Sequence, residues 1–150
     1  MKKKRIVGLL LSMIVCIAMM PVAVFAETPA AEPAGVWSDY AEDAFAGGTG
    51  TVDAPYQIAT AGQLAKLAAD INSGEKDKNH SKEYFILTED IDLSAHRWVP
   101  IGSGSHKGSF HAFGGHFNGK GNKITGLYVK EERDDYSAGL FGAVGGITIE

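Results

Sequence analysis

The apolar positions between Thr60 and Gly74 recur with the period of an α-helix. They fall at the spacing i, i+3, i+4 and i+7, which places them on one face of a helix. They are Leu64, Leu67, Ala68 and Ile71. Gln63 follows Thr60 by three residues, the spacing of a capping box, and Gly74 closes an Asn-Ser-Gly turn that is typical of a helix end. This segment therefore predicts one amphipathic helix.

On either side of this helix the hydrophobic period changes to two, which is the period of a β-strand. Residues 56–58 form a short alternating stretch before the helix, and a longer one begins at Tyr84. The apolar residues of equal parity in the second stretch are Phe85, Leu87, Ile91 and Leu93. They would face one side of an extended segment, and residues 98–102 add a further apolar piece.

Beyond Gly102, glycines divide the chain into short apolar stretches. Twelve of the 19 glycines lie between Gly102 and Gly146. The stretches that they separate are residues 116–117, 123–130, 139–142 and 147–149. Short β segments joined by glycine turns, with no helix between them, predict a mainly β fold and exclude a doubly wound α/β fold.

Two of these stretches share one pattern and indicate an internal repeat. Residues 127–129 and 147–149 each place a more polar residue between two apolar ones, and their offset of 20 positions lies within the range for one coil of a solenoid. One coil cannot bury its own apolar face, so coils stack at about 4.8 Å and pair their backbones. The open end of the first coil needs a cover, and we expect the helix at residues 60–74 to provide it.

Residues 1–26 have the parts of a secretory signal peptide. A basic cluster at residues 2–5 precedes an uncharged apolar run at residues 6–20. Val24 and Ala26 are small residues at the −3 and −1 positions of a cleavage site, so we expect cleavage after Ala26. Counted through Ala26, the apolar run reaches the length of about 20 residues that a bilayer requires, which leaves an uncleaved membrane anchor as the alternative. We interpret Cys16 as a small hydrophobe of the signal helix.

The composition limits the domain count and the classes of function. The chain has 150 residues and a formal charge of −4; residues 1–26 hold four of the 14 basic residues and none of the 18 acidic ones, so the remainder carries −8. This acidic balance disfavours nucleic-acid binding. The single cysteine lies in the signal segment, so no disulfide holds the remainder. We expect a signal peptide (1–26), a spacer (27–47), and the N-terminal cap and first rungs of a β-solenoid (48–150).

Several segments resemble the entry and the first coils of bacterial surface β-helices. These segments are residues 55–58 with 63–67, residues 87–94 with 98–102, and residues 117–129. They occur in the order that is typical of such proteins. The segment that follows them is similar to the GLUG motif, and its residues are Gly139, Leu140, Phe141 and Gly142.

This resemblance implies a right-handed parallel β-helix that is secreted or held at the bacterial cell surface. GLUG-motif proteins are large and adhesin-like, and the motif accompanies some IgA-cleaving peptidases. The resemblance brings no catalytic residues that could be carried over to this chain. Since members of the family continue through several coils, we expect the solenoid to be incomplete at the C-terminus and further domains to follow Glu150.

Two patterns suggest chemistry but fit a structural role better. Residues 114–120 match G-x-x-x-x-G-K, yet Gly121 stands where a phosphate loop has Ser or Thr, and no helix is predicted after it. His106, His111 and His116 recur at every fifth position, which puts alternate histidines on opposite faces of a strand. We therefore expect turn histidines rather than a zinc site.

Acidic residues form two clusters. Glu89, Asp90 and Asp92 could bind Ca²⁺ or act as paired carboxylates on a polysaccharide. Because Asp90 and Asp92 have the parity opposite to the apolar residues around them, we predict an outward-facing polar row instead. Residues 131–135 hold four more carboxylates around Arg133, and we interpret this charged loop as solvated.

The sequence thus favours a non-catalytic scaffold, a secreted or cell-surface β-solenoid with adhesin-like binding of glycans or host proteins. It predicts no cofactor, no metal, no nucleic-acid partner and no membrane span after signal cleavage. An enzymatic role stays open as the alternative, either as a polysaccharide-acting β-helix or as the accessory region of an IgA-cleaving peptidase. In a third interpretation, residues 27–150 are only the N-terminal cap of a larger protein.

Overall fold

The computed structural model describes residues 31–75, 78, 80, 82–104, 110–130, 139–146 and 148–150, which belong to one folded unit, Ala31–Glu150. A 3-10 helix at Trp37–Tyr40 precedes strand β1, Tyr56–Ile58, and helix α1, Ala61–Ser73. The strands after α1 are β2 Tyr84–Leu87, β3 Ile91–Asp92, β4 Ser103–Gly104, β5 Phe110–His111, β6 His116–Asn118, β7 Ile124–Thr125 and β8 Thr148–Ile149.

Four of the strands form a parallel sheet in the order β1-β2-β6-β8. Its register aligns Tyr56 with Phe85, Phe85 with Phe117, and Phe117 with Ile149, so every pairing in this sheet joins distant parts of the chain. Strand β3 pairs in parallel with β7, and β4 pairs antiparallel with β5. Beside β1, Gly47 makes an antiparallel bridge to the central residue of that strand, which covers part of the outer edge of the sheet.

The core lies between the parallel sheet and α1, and its residues follow the alternation expected from the sequence. Phe85, Leu87, Ile91 and Leu93 are each at most 2% exposed, which confirms that they share one buried side. They pack with the buried stripe of α1, with Ile58, and with Trp98, Ile101, Phe113 and Phe117. Since these side chains are large and apolar, their removal from water is the main force that holds this fold together.

Helix α1 confirms the prediction for residues 60–74. The Thr60 hydroxyl accepts a hydrogen bond from the backbone nitrogen of Gln63 at 3.1 Å, and the Gln63 side chain accepts one from the backbone nitrogen of Ala59 at 2.9 Å. The helix ends at Gly74, whose φ of 67° is left-handed. The predicted apolar stripe of the helix is buried.

The predicted fold class, a mainly β right-handed parallel β-helix with a capping helix, is wrong. The described residues form a small mixed α/β arrangement of one α-helix, two small parallel sheets and an antiparallel pair, with no closed solenoid. The left-handed backbone of Gly126, with a φ of 67°, comes directly after β7. Residues 127–129 therefore leave the strand, Leu127 is 42% exposed, and Ile149 pairs with Phe117 instead of with residue 129.

Residues 31–47 contribute contacts to the core and to the sheet. Trp37 donates from its backbone nitrogen to the Arg97 oxygen at 2.9 Å and from its indole nitrogen to the Leu93 oxygen at 2.9 Å. Phe45 packs partly buried against the core, with its ring centroid 4.8 Å from that of Tyr56. These contacts fix the segment that leads into β1.

Candidate functional site

A groove runs along the outer side of the parallel sheet, across β2 and β6. Because successive side chains of a strand point to opposite faces, the burial of Phe85 and Phe117 directs their neighbours outward. The groove has a volume of about 170 Å³. Its walls are completed by Val52, Pro55, Lys120 and Glu150. The sheet thus supplies the floor, and the segments beside it supply the rim.

An aromatic pair forms part of this floor. The register pairs Tyr84 with His116, and their rings stack with centroids 4.2 Å apart and planes 5° from parallel. Ile86 and Asn118 form the next outward pair of the same two strands. Because the two rings face each other, each covers one face of its partner, and the pair offers its outer ring faces and its ring edges. The phenol and imidazole groups on these edges can form hydrogen bonds.

The rim of the groove is polar and held in place by hydrogen bonds. The Asn118 side-chain oxygen accepts a hydrogen bond from the backbone nitrogen of Lys120 at 2.7 Å, and its amide nitrogen donates to the Glu150 carboxylate at 2.5 Å. One amide therefore orients both the turn that carries Lys120 and the carboxylate of Glu150.

Beside the aromatic pair, the backbones of β2 and β6 lie close together and are joined by a hydrogen bond. The backbone oxygen of Glu83 accepts a hydrogen bond from the backbone nitrogen of His116 at 2.8 Å. Gly115 passes so near that a Cβ atom at this position would lie 2.6 Å from the same oxygen. A side chain at position 115 would therefore separate β6 from β2 and pull the two rings apart.

A cluster of charged side chains connects α1 to the segment that leads into β2. Lys66 Nζ lies 2.8 Å from Asp70 Oδ2, and His80 Nε2 lies 3.1 Å from the same oxygen. The other ring nitrogen of His80 contacts the Glu83 carboxylate. Each member of the cluster thus has a charged or polar partner, as a buried carboxylate such as Asp70 requires.

Tyr56 stands beside this cluster in a ring of aromatic contacts. Its ring centroid lies 5.4 Å from that of Phe85 and 5.7 Å from that of His80. Burial raises the pKa of the Tyr56 phenol, and the negative charge of Glu83 raises it further. The phenol therefore stays neutral at physiological pH and acts as a packing residue.

The three histidines that recur at every fifth position do not share one environment. His111 lies in β5 with its ring against Gly74, and His116 stacks on Tyr84 in the groove. His106 lies outside the described residues. Within the described part of the chain, no group of three histidine, cysteine or acidic side chains is placed to hold a metal ion.

Two of the three acidic residues around β3 accept hydrogen bonds from backbone nitrogens. Glu89, Asp90 and Asp92 are exposed. Asp90 accepts a hydrogen bond from the backbone nitrogen of Lys123 at 2.7 Å, and Asp92 accepts one from the backbone nitrogen of Ser94 at 2.9 Å. The bonds from Ser94 lower the pKa of Asp92. Asp90 therefore links the segment before β3 to the residue that precedes β7, and Asp92 fixes the turn after β3.

The motif residues Gly139, Leu140, Phe141 and Gly142 pair with the apolar segment around Ile101. Phe141 makes a parallel bridge to Ile101, and the Leu140 oxygen accepts hydrogen bonds from the Ile101 backbone nitrogen at 2.9 Å and the Trp98 indole at 3.1 Å. A Cβ atom at Gly142 would lie 2.4 Å from the Gly102 oxygen. The motif therefore has a packing role.

Of the remaining predicted features, the phosphate-loop pattern lies in the described residues and the others do not. In residues 114–120, the part at His116–Asn118 is a strand, and the chain continues through a turn into β7 rather than into the helix that a phosphate loop needs. The predicted cleavage site at Ala26, Cys16 and the acidic loop at residues 131–135 lie outside the described residues.

The groove was not anticipated from the sequence. The sequence patterns place His116 in a short β segment and among the regularly spaced histidines, Lys120 in the phosphate-loop pattern, and Tyr84 at the start of a strand. Their juxtaposition depends on the pairing of β2 with β6, which are far apart along the chain. One sequence signal for this pair exists: Tyr84 and His116 are aromatic residues that each lie next to a buried apolar residue in a predicted strand, and so both point outward.

Comparison with known proteins shows a relative but no family. No family model matches the chain, and no solved structure matches it. Over 107 residues the chain is 36% identical to a protein of Evansella cellulosilytica that carries the provisional name Gly-rich membrane protein. The match covers 67% of this chain and 11% of that protein. Among the residues that the structure describes, none belongs to a helix long and apolar enough to cross a membrane.

Proposed function

We propose that this chain is a non-catalytic binding module of the bacterial cell surface that holds one sugar ring of a glycan in the groove of its parallel sheet. The observation that carries the proposal is the parallel, face-to-face stack of Tyr84 and His116 on the groove floor. Around it lie the hydrogen-bonded polar groups of Asn118 and Glu150.

The chemistry of a sugar ring suits this combination. One face of a pyranose carries C–H bonds that pack against aromatic rings, and its hydroxyl groups need donors and acceptors at fixed positions. Pockets for drug-sized ligands have volumes of about 300–1,000 Å³. A groove of about 170 Å³ has room for a smaller unit, such as a single ring at the end of a glycan.

The location at the cell surface is supported by two observations of different kinds. The relative from Evansella cellulosilytica is named as a membrane protein. Residues 1–26 of this chain have the basic cluster, the apolar run and the small residues of a secretory signal. Both a cleaved signal and a retained anchor would place residues 31–150 outside the cytoplasm, where glycans are found.

Binding to a printed array of neutral and acidic oligosaccharides tests the proposal, with Tyr84→Ala as the variant. We expect the wild-type chain to bind a subset of the array and Tyr84→Ala to lose about tenfold in affinity, because half of the aromatic stack is removed. Circular dichroism and the melting temperature show whether the variant is folded.

Tyr40→Ala is the matched control, because Tyr40 also stacks on a histidine. Its ring lies 3.9 Å from that of His96, 8° from parallel, and Tyr40 is 52% exposed, but it lies outside the groove. This variant should bind like the wild-type chain. An equal loss in both variants, or a wild-type chain that binds no glycan on the array, would contradict the proposal.

A further inference from the structure

The backbone of Lys120 has a conformation that its side chain disfavours. Lys120 has a φ of 51° and is the one non-glycine residue with positive φ among those that the structure describes. Left-handed backbone is unfavourable for an L-residue with a long side chain, and such residues cluster at binding sites.

The turn around Lys120 does not need a lysine. The backbone nitrogen of Asn122 donates to the Gly119 oxygen at 2.8 Å, and the two central residues, Lys120 and Gly121, both have positive φ. This is a type I′ turn, in which Asn or Gly is typical at the first central position. The lysine is therefore better explained by its side chain than by the turn.

The side chain of Lys120 brings a positive charge to the groove. Lys120 lines the groove, and within the described residues its ammonium group has no carboxylate at ion-pair distance. Glu150 lines the same groove, but its carboxylate already accepts the hydrogen bond from Asn118. Among the described residues, the groove thus holds a carboxylate that is oriented by Asn118 and an ammonium group that is not paired with it.

We propose that Lys120 determines specificity and selects a sugar ring that carries one anionic group. This inference rests on the proposed glycan-binding function. The ammonium would form a charge-assisted hydrogen bond to a carboxylate or a sulfate on the sugar ring that the aromatic pair of Tyr84 and His116 holds in the groove. The formal charge of −4 on the whole chain opposes a polyanion, so the fitting ligand is one acidic residue in an otherwise neutral glycan.

The test uses matched sets of trisaccharides whose terminal ring is a hexose, the corresponding hexuronate or the 6-sulfated hexose. Affinities are measured by isothermal titration calorimetry. The wild-type chain should prefer an acidic member by about tenfold. Preference for the hexuronate, for the sulfated ring or for both supports the inference and identifies the anion.

Three variants separate the charge of Lys120 from its backbone. Lys120→Asn suits the turn and removes the charge, so the preference should disappear while the melting temperature does not decrease. Lys120→Arg should keep the preference. Lys123→Asn is the control, since Lys123 is exposed and outside the groove lining, and it should leave the preference unchanged.

The outcomes distinguish this inference from the function on which it rests. If the wild-type chain binds the neutral member as tightly as both acidic ones, or if Lys120→Asn keeps the preference, the role of Lys120 is overturned and the sugar site stands. If the chain binds neither neutral nor acidic members, the proposed function fails with it.

Discussion

At the scale of single residues, two glycines with left-handed backbone show how the chain turns. Gly126 has a φ of 67°, and a Cβ atom there would lie 2.6 Å from the backbone nitrogen of Ser94. Gly121 has a φ of 80°, but a Cβ atom there would meet nothing within 4 Å. The two positions therefore share a backbone conformation that disfavours any side chain, and they differ in the space for one.

Replacing each glycine by alanine should separate these two effects. Both variants place an L-residue in the left-handed region, which costs about 1–2 kcal/mol. Gly126→Ala should lose roughly 1–3 kcal/mol more, because its Cβ overlaps the backbone at Ser94. Urea unfolding followed by tryptophan fluorescence measures both losses. Equal losses would contradict the close approach at Gly126.

Residue chemistry could be predicted from the sequence only where it depends on near neighbours. The buried parity of Phe85 and Leu87 follows from the two-residue period of a strand, and the structure confirms it. The stack of Tyr84 on His116 depends on which strand lies next to β2, and nothing in the sequence close to Tyr84 specifies that neighbour.

At the scale of elements, α1 is the part of the fold that local sequence determines most fully. Its apolar period, its capping box and its terminal glycine all lie between Thr60 and Gly74. The first turn of α1 also contacts Glu42, which lies outside this segment. The Thr60 hydroxyl donates a hydrogen bond to the Glu42 carboxylate at 2.5 Å, and the Gln63 side-chain amide donates one to the same carboxylate at 3.1 Å. A negative charge beside a helix N-terminus is stabilising.

Thr60→Ala should therefore destabilise the protein by about 1–2 kcal/mol, because it removes the acceptor for the Gln63 backbone and the donor to Glu42. Thr60→Ser keeps the hydroxyl and serves as the control, with a loss below about 0.5 kcal/mol. Chemical denaturation of both variants gives the comparison. A Thr60→Ser loss as large as that of Thr60→Ala would assign the effect to the methyl group instead.

At the scale of the whole molecule, pairing between distant segments determines the architecture, and here the sequence was least informative. The apparent repeat connected residues 127–129 with 147–149, whereas the structure pairs β8 with β6. Short apolar triplets between glycines are compatible with several registers, so their pattern alone does not select partners. The mixed α/β arrangement results from pairings that the sequence pattern left undetermined.

An exposed ion pair joins Glu32, near the start of the described unit, to Lys130, with 2.6 Å between the carboxylate oxygen and the ammonium nitrogen. The hydrogen bond from Lys130 lowers the pKa of Glu32, with a further contribution from Tyr128. A carboxyl group with a lowered pKa in the folded state stabilises the fold above its unfolded pKa. This contribution is lost as the pH falls through the lower, folded value.

Glu32→Gln should therefore melt at a slightly lower temperature than the wild-type chain at pH 7, and the difference should shrink as the pH falls below the ordinary glutamate pKa of about 4.3. Melting curves between pH 3 and pH 7 measure it. The matched control repeats the substitution in a Lys130→Met background, where Glu32→Gln should have little effect. A difference that persists unchanged at pH 3 would show that the carboxylate charge is not its source.

The most direct test of the glycan-binding groove is to locate the bound sugar by nuclear magnetic resonance. A ¹⁵N-labelled chain is titrated with the oligosaccharide that the array ranks first. We predict that the amide signals of Tyr84, Ile86, His116 and Asn118 shift together and saturate with one dissociation constant, while those of Tyr40 and His96 stay in place. Shifts confined to Tyr40 and His96, or no shift in the groove at saturation, would contradict the proposed site.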